Sequence, residues 1–435
     1  MRRTISIALS FVGLLVGAGF ATGQEVIQYF VSFGMPGLWG AVIAGVVFAI
    51  AGGVILGLGS YFLADEHNMV FRNISHPVMS KFLDISVTVT LFAIGFVMLA
   101  GAGSNFAQQF GWPTWVGAAI MTGIVMATGL LDVDKVSNII SSLTPLIIIA
   151  VLGVFFYTMF HLPSDTSQLS EIAQQADSPV KPWLLSALNY NGLALLLGVS
   201  MCLVIGGNHS DPRAALRGGL IGGIIYTCLL IMAAVVLYLN IADVVDDSVP
   251  MLSLYDSISP VLSFIMVWII YAMIYNTAIG MFYALGRRLT SNNPKRYRPV
   301  FLSVCLVGFA ISFLGFQTLM TYVYPAIGYV GIVMVAMLVW WWIKHRRTIA
   351  EEMDRRERIL ELTYAREHPD EEFTRSHARE LEKHAEESNI HSEEIVATIE
   401  EEVATALVED DSVDYTEEDM PESVQAAREE DSSRE

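Results

Sequence analysis

Apolar residues run through most of this chain in long blocks separated by short polar connections. Blocks of about 20 residues are the length that crosses a bilayer as a helix. Read this way, the chain is all-α and has ten transmembrane helices, at residues 4–31, 38–63, 82–110, 114–131, 138–160, 183–206, 214–239, 257–286, 299–316 and 319–343. The first block is the least regular. It carries glycines at 13, 17, 19 and 23 and then Gln24 and Glu25. Each glycine costs about 1 kcal/mol of helix propensity relative to alanine. The block is therefore weakest as a helix at the depth where unpaired backbone costs most. Such a break is tolerated where the freed carbonyls and amides line a cavity.

Ten spans divide as five plus five, and an odd number per half inverts the second half relative to the first. The sixth span then corresponds to the first. It also reads as interrupted, at Ser186-Ala187-Leu188-Asn189-Tyr190-Asn191-Gly192. With the N-terminus in the cytoplasm, the inside connections hold 15 of the 16 Lys and Arg residues of positions 1–347, and the outside connections hold one, Lys181. That asymmetry supports both the span count and the orientation.

Composition sharpens the division. The chain is 54% hydrophobic, yet its net charge is −19. Residues 348–435 hold 30 acidic and 9 basic residues, whereas 1–347 hold 14 acidic and 16 basic. The expected domains are a near-neutral membrane domain, 1–347, and an acidic cytoplasmic tail, 348–435. The tail is expected to be helical over about 349–367, 370–388 and 391–408, with surface pairs such as Glu352 with Arg356, and disordered beyond. His377, His384 and His391 recur every seven residues, which reads as coincidence on solvated helices before it reads as a metal or pH-sensing stripe. Cys202, Cys228 and Cys305 all fall in apolar runs and suggest no disulfide framework. Arg2-Arg3 and the run behind them imitate a signal peptide, but the apolar pattern continues to Phe33, which suits a broken span.

Several polar residues have local structural readings. Asp211-Pro212 reads as a cap with proline at the first helical position, and His209 as loop. Asp132 and Asp134 read as cap and turn residues before span 5. The small-residue run 100–104 reads as a helix-packing seam. Glu25 is the one acid placed inside a span rather than near an end, and a carboxylate there marks a functional site that can carry a proton. Thr22-Gly23-Gln24-Glu25 also fits a capping box on a second half-helix starting near Gly23, whose amide end favours a carboxylate. The half-helix ending near Val16 offers carbonyls to a cation. In span 8, Asn276 and Thr277 supply oxygens suited to a hard cation, and with the carbonyls of Gly17 and Phe20 they make a candidate sodium site. The alternative reading of the glycines is close helix packing, and of Asn276 and Thr277 interhelical hydrogen bonding. Asn105 of span 3 is expected to face the cavity, while Gln108 and Gln109 are expected at the water interface.

The segment Val16-Gly17-Ala18-Gly19-Phe20-Ala21-Thr22-Gly23-Gln24-Glu25 resembles the start of the YkvI-type membrane proteins. These are a bacterial branch related to the amino acid–polyamine–organocation superfamily. The resemblance covers roughly residues 1–345, by motif in the first span and by span pattern elsewhere. It implies the LeuT-type inverted-repeat fold, with substrate between unwound parts of helices 1 and 6 and a sodium site between helices 1 and 8. Carried over, it points to Gly17, Ala18, Gly19, Phe20, Ala21, Asn189, Tyr190 and Asn191 for substrate, and to Asn276 and Thr277 for sodium. The helix-8 pair is Asn-Thr where sodium-coupled relatives often carry two hydroxyl residues, and span 5 lacks the Lys of some proton-coupled relatives.

The function expected is secondary active transport of a small solute, an amino acid or related zwitterion or anion, by alternating access coupled to sodium or protons. The chain is expected in the bacterial plasma membrane with both termini cytoplasmic. The alternative is a membrane sensor or scaffold on a transporter fold, signalling to a cytoplasmic protein through the tail. No zinc-protease helix, nucleophile elbow or cluster of intramembrane acids points to an enzyme. No filter repeat points to a channel. Neither a resident cofactor nor nucleic-acid binding is expected.

Overall fold

A computed structural model describes residues 2–130, 143–163, 166–410, 413–421 and 423–426. All regular structure among the described residues is helical. The first apolar block is broken into α1 (Arg2–Leu15), α2 (Ala18–Thr22) and α3 (Gln24–Tyr29). Next come α4 (Met35–Phe62), α5 (His67–Ile74), α6 (Pro77–Phe110), α7 (Thr114–Thr128), α8 (Leu143–Phe160) and the short α9 (Leu169–Ala173). The second half holds α10 (Trp183–Gly207), α11 (Pro212–Leu239), α12 (Ile241–Val244), α13 (Pro250–Ile258), α14 (Pro260–Leu289), α15 (Tyr297–Ser312) and α16 (Phe316–Glu367). Two helices close the chain, α17 (Arg375–Glu386) and α18 (Ser392–Val408). Lys135, Asp132, Asp134 and the start of the expected fifth span lie outside the described residues.

Among the described residues, six helices are long and apolar enough to cross a membrane: α4, α6, α10, α11, α14 and α16. Shorter apolar helices stand at 3–15, 114–128 and 144–160. Large apolar side chains such as Trp39, Val46, Ile149, Phe160 and Phe264 are exposed on the outside of the bundle, as a lipid-facing surface requires. Helix starts follow local chemistry. Asp211 caps α11 by accepting from the Arg213 amide at 2.8 Å, with Pro212 at the first position. Ser259 does the same for α14, accepting from Val261 N at 3.3 Å. The small-residue run in α6 does bring a neighbour close, because Gly103 lies against the Thr114 carbonyl of α7.

The packing repeats between halves. α4 lies against α11, α6 against α14 and α7 against α15. α1 packs on α11 as α10 packs on α4, and α8 packs on α11 and α14 as α16 packs on α4 and α6. One seam has no counterpart of similar extent among the described residues: α10 runs along α16, whereas α1 does not run along α8.

The interruption expected in the sixth span is absent, since α10 is continuous from Trp183 to Gly207. Ser186 and Asn189, two of the polar residues that suggested it, bond to other elements instead of competing for their own helix. Ser186 Oγ donates to the Tyr29 carbonyl at 2.8 Å, and Asn189 Nδ2 donates to the Pro325 carbonyl at 3.0 Å. Tyr29 OH donates to Asn189 Oδ1 at 3.2 Å. Gly192 sits against the backbone of Gly328 and Gly331 of α16, where a Cβ would overlap main-chain atoms. This stretch is a polar and small-residue seam, not a break.

The C-terminal region is built onto the bundle. α16 continues past the apolar block to Glu367, and α17 and α18 pack beside it. A second apolar core forms there around Ile359, Leu362, Ile395, Ile399, Val403 and Leu407. Tyr415, Met420 and Val424 are buried in it, so this part of the stretch expected to be disordered is packed. The pair expected on the surface, Glu352 with Arg356, is buried, with both residues 1% exposed. Arg356 Nε donates to Glu352 Oε1 at 2.9 Å. Its Nη1 donates to the carbonyls of Ser60 (2.7 Å) and Ser210 (3.2 Å), and its Nη2 to the Tyr61 carbonyl (2.7 Å) and Asn389 Oδ1 (2.8 Å). All five guanidinium donors are used. Two of the acceptors, the Ser60 and Tyr61 carbonyls, lie in the last turn of α4, where a cation also suits the helix dipole. Glu402 makes a second link, accepting from Arg3 Nη1 at 2.8 Å, Ser210 N at 2.5 Å and Ser210 Oγ at 2.9 Å.

Breaking a buried pair leaves an uncompensated charge, so Arg356→Ala is expected to lower stability by about 3–5 kcal/mol. Arg356→Met with Glu352→Met should cost less than the single change. Unfolding of the purified protein followed by tryptophan fluorescence checks this; a loss under about 1 kcal/mol would mean the pair behaves as a solvated one.

Candidate functional site

The break lies at Val16 and Gly17. α1 ends at Leu15, the Gly17 amide turns back to the Leu15 carbonyl at 2.9 Å, and Gly17 is extended (φ −101°, ψ −172°). α2 then starts at Ala18, and its first-turn amides have no intrahelical acceptor. A second kink follows at Gly23, whose φ of 80° is left-handed and suits a residue without Cβ. The second half-helix thus begins at Ala18, not near Gly23. The capping box expected at Thr22 and Glu25 is not formed, because residue 22 is already helical. Its hydroxyl donates to the Gly19 carbonyl at 2.8 Å and accepts from the Gln24 amide at 3.4 Å, which touches the start of α3 without making the box.

Beside the break is a cavity of about 590 Å³. Its walls come from α1, α2, α6, α10 and α14, with single residues from α3, α5, α11 and α16. Glu25 reaches into it over Gly19: a Cβ at Gly19 would overlap Glu25 Oε1, so the glycine leaves the space the carboxyl fills. The Tyr324 hydroxyl of α16 is within hydrogen-bonding reach of that carboxyl. On the side away from the C-terminal helices, aromatic rings close the cavity. Tyr190 OH and Tyr226 OH are 2.7 Å apart. Phe30 meets Tyr190 edge-on at 5.0 Å, Phe48 meets Tyr226 edge-on at 5.1 Å, and Tyr29 tilts against Tyr190 at 5.4 Å.

The other end runs down to His67, Ser200 and Arg288, beside the C-terminal helices. His67 Nδ1 is 2.8 Å from Ser200 Oγ, and His67 Nε2 is 3.0 Å from Arg288 Nη1. A guanidinium only donates, so Nε2 accepts and the ring proton sits on Nδ1. Burial, reinforced by Arg288, pushes the His67 pKa down to about 4, and the ring is neutral near pH 7. Arg288 also pairs with Asp84.

The structure brings eight of the expected residues to this cavity: Gly17, Ala18, Gly19, Phe20, Glu25, Tyr190, Asn276 and Thr277. Four are elsewhere. Ala21 is buried behind the wall, and Asn189 holds the α3–α10–α16 seam. Asn105 donates to the Val267 carbonyl at 2.9 Å, joining α6 to α14. Asn191 is buried with neither amide atom hydrogen-bonded. Asn189 and Asn191 stay within a regular helix because the expected unwinding of the sixth span does not occur. Among the sodium candidates, Thr277 Oγ1 donates to the Met273 carbonyl at 3.2 Å, and the carbonyls of Gly17 and Phe20 accept from the amides of Ala21 and Gly23. Gln108 and Gln109 are not free at the surface: Gln108 clasps Val249 through both backbone groups, and Gln109 accepts from Ser263. Tyr226, Tyr324, His67, Ser200 and Arg288 were not singled out. The one signal they left was a hydroxyl or charge on an otherwise apolar helix face.

Of the three spaced histidines, His377 and His384 stand two turns apart on α17, where His377 belongs to the cap and His384 lies 3.9 Å from Glu380, and His391 precedes α18. Cys202 and Cys305 are buried, while Cys228 is on the outside of α11.

An all-helical bundle with a broken first helix and a central cavity is a LeuT-type membrane fold. The likeness to a solved structure agrees: the inward facing conformation of Mhp1 matches at TM-score 0.53 and 12% identity, over 79% of this chain and 77% of that one. By sequence, the chain is homologous to the uncharacterized membrane protein YkvI of Bacillus subtilis, 26% identical over 337 residues, covering 77% of this chain and 94% of that protein. The uncharacterized protein YyaD of the same organism is 23% identical over 340 residues, covering 76% of this chain and 94% of its own length. No family model matches.

The two glycines of the first block that flank the break should respond oppositely to alanine. Gly13→Ala meets nothing within 4 Å and should be neutral or add up to about 1 kcal/mol of stability. Gly19→Ala must push the Glu25 carboxyl aside and should cost roughly 1–3 kcal/mol. Paired thermal unfolding decides it; equal effects would place Glu25 away from Gly19.

Proposed function

We propose that the protein is a secondary transporter that carries a small solute across the membrane by alternating access. The observation that carries the reading is the cavity at the broken first helix, shut by aromatic rings on one side and running toward the C-terminal helices on the other. The packing supports ten crossings in two inverted halves of five, because the contacts of the first half recur in the second. The unmatched α10–α16 seam fits a carrier caught open to one side. Mhp1 is described as a nucleobase-cation-symport-1 family transporter, which supports a carrier and leaves the solute open. The charge asymmetry of the connections supports a bacterial plasma-membrane protein with both ends in the cytoplasm. On this reading the cavity opens inward. Coupling would run through sodium held by Gly17, Phe20, Asn276 and Thr277, or through a proton on Glu25. A carrier of this kind needs no catalytic machinery.

Accessibility tests this. Gly280 lines the cavity on α14 and has open space where a side chain would go. In a background without native cysteines, Gly280→Cys should react with a membrane-impermeant thiol reagent from the cytoplasmic side, at least about tenfold faster than from outside. A solute that drives turnover should shift that ratio. Equal reactivity from both faces under all conditions would sink alternating access.

A second reading, a sensor that signals through the tail, is favoured by one observation. The tail bonds the end of α4, the α10–α11 turn and Arg3 of α1, so movement of those helices must move it. Transport that survives removal of residues 348–435, read in proteoliposomes, would leave the tail a modulator. Transport lost with the fold retained would make it part of the machine.

A further inference from the structure

We propose that Glu402 and Arg356, which lie outside the cavity, position its hinged wall: through them the C-terminal helices clamp the half-helix α1 to α4 and to the α10–α11 turn. This rests on the carrier reading for its effect on the cavity and adds a control that the reading does not contain. α1 ends at the Val16–Gly17 break, and extended backbone between two helices is a place where one can swing against the other. The contact of α1 with α11 is smooth, with Gly218 against Ile7 and Gly222 against Ala8. Among the described residues, the side-chain hydrogen bonds of α1 are the two that Arg3 makes. Both go to Glu402 of α18: Nη1 donates to Oε2 at 2.8 Å, and Nη2 donates to the backbone carbonyl at 3.1 Å.

The same carboxylate holds Ser210, in the turn between α10 and α11. Every polar group of Ser210 is taken by the tail. Its amide and hydroxyl donate to Glu402 at 2.5 and 2.9 Å, and its carbonyl accepts from Arg356 at 3.2 Å. The Tyr61 carbonyl, at the end of α4, accepts from Arg356 at 2.7 Å and from Asn389 at 2.8 Å. Arg213, at the start of α11, pairs with Asp354 and Glu357. The helices joined in this way are α1, α4, α10 and α11. Among the described residues, no side-chain hydrogen bond from residues 351–402 goes to α6, α7, α14 or α15. The clamp grips one side of the cavity and leaves the other side ungripped.

The backbone at the grip is strained. Leu63, just past α4, has a φ of 46° and is the one left-handed residue other than glycine among the described residues. Its side chain is buried in the apolar core of the C-terminal helices, with Ile359 and Leu362. Such a conformation persists where surrounding structure holds it, and it is typical of switch regions. Here the hold comes from the tail.

The test uses the full-length protein in nanodiscs, with amide hydrogen exchange of α1 and α6 read in the same sample. Arg3→Gln and Glu402→Gln should each speed exchange in α1 roughly tenfold, because a hydrogen bond to a charged group is lost and exchange follows local opening. α6 should not change. Arg3→Lys, which keeps the charge, should fall between wild type and Arg3→Gln. Arg3→Cys with Glu402→Cys, in a background without native cysteines and joined by a short bismaleimide, should return α1 to the wild-type rate. With α1 loosened, Gly280→Cys should react faster from the cytoplasmic side.

Three results would overturn the proposal. One is α1 exchange unchanged in both Arg3→Gln and Glu402→Gln. Another is equal acceleration of α1 and α6, which is general loss of stability and not release of a clamp. The third is a faster α1 with an unchanged Gly280→Cys rate, which would detach the clamp from the cavity. If α1 and the Gly280→Cys rate both respond, yet reactivity is equal from the two faces under all conditions, the clamp stands and the carrier reading falls. If Gly280→Cys alternates in accessibility while α1 is indifferent to both variants, the clamp falls and the carrier reading stands.

Discussion

An open backbone at membrane depth has to be answered by protein or by water-filled space, because lipid offers no hydrogen bonds. The break at Val16 and Gly17 is that constraint, and the surrounding structure is arranged to meet it. The start of α2 and the end of α1 face a cavity instead of a helix neighbour. Glycine at position 19 lets a carboxyl approach the same spot. The aromatic cluster of Tyr29, Phe30, Phe48, Tyr190 and Tyr226 closes one end of the space. Without the break, Glu25 would have no reason to be held inside the bundle.

This part of the site was legible because glycine and charge are both costly in an apolar helix, so their coincidence is informative. The position where the first half-helix ends was nearly right, near Val16 against an observed Leu15. The start of the second was not, because the capping-box pattern around Thr22 is a local signal. It lost to a helical turn already running from Ala18, in which the Thr22 hydroxyl has a nearer acceptor. The sixth span failed for a related reason. Asn, Ser and Gly are poor helix formers when they compete for their own backbone. At Ser186, Asn189 and Gly192 they bond or abut a different helix, and a single sequence does not say which partner is present. Tyr226 and Tyr324 are distant in sequence from the break and reach it only through packing.

The C-terminal region shows the same limit from the opposite direction. Glu352 and Arg356 have the spacing of a surface pair worth a few tenths of a kcal/mol. The expectation of a solvated pair assumed water around it. The fold instead delivers the Ser60, Tyr61 and Ser210 carbonyls and Asn389, which together use every donor Arg356 has. Carbonyls at a helix end need a donor, and here the donor comes from almost 300 residues away in sequence. Part of the acidic composition of the tail is carried by α16, α17 and α18, whose inner faces hold Ile359, Ile395, Ile399 and Val403.

The two halves of the bundle differ in a way that follows from these local facts. In the second half, Gly192 meets Gly328 and Gly331 backbone to backbone, and Asn189 pins the Pro325 carbonyl, so α10 and α16 are locked along their outer lengths. In the first half, the equivalent helix is broken, and the end of α1 borders the cavity, with no comparable seam to α8 among the described residues. A repeat with identical contacts in both halves would be closed at both ends or open at both. Closure on one side and a path on the other require the symmetry to be broken somewhere. Here it is broken by one continuous helix and one interrupted helix. On the carrier reading, reversing the opening would loosen the Gly192 seam and bring α1 toward α8. The links from Arg356 and Glu402 to α4, to Ser210 and to Arg3 lie on the elements that such a movement displaces.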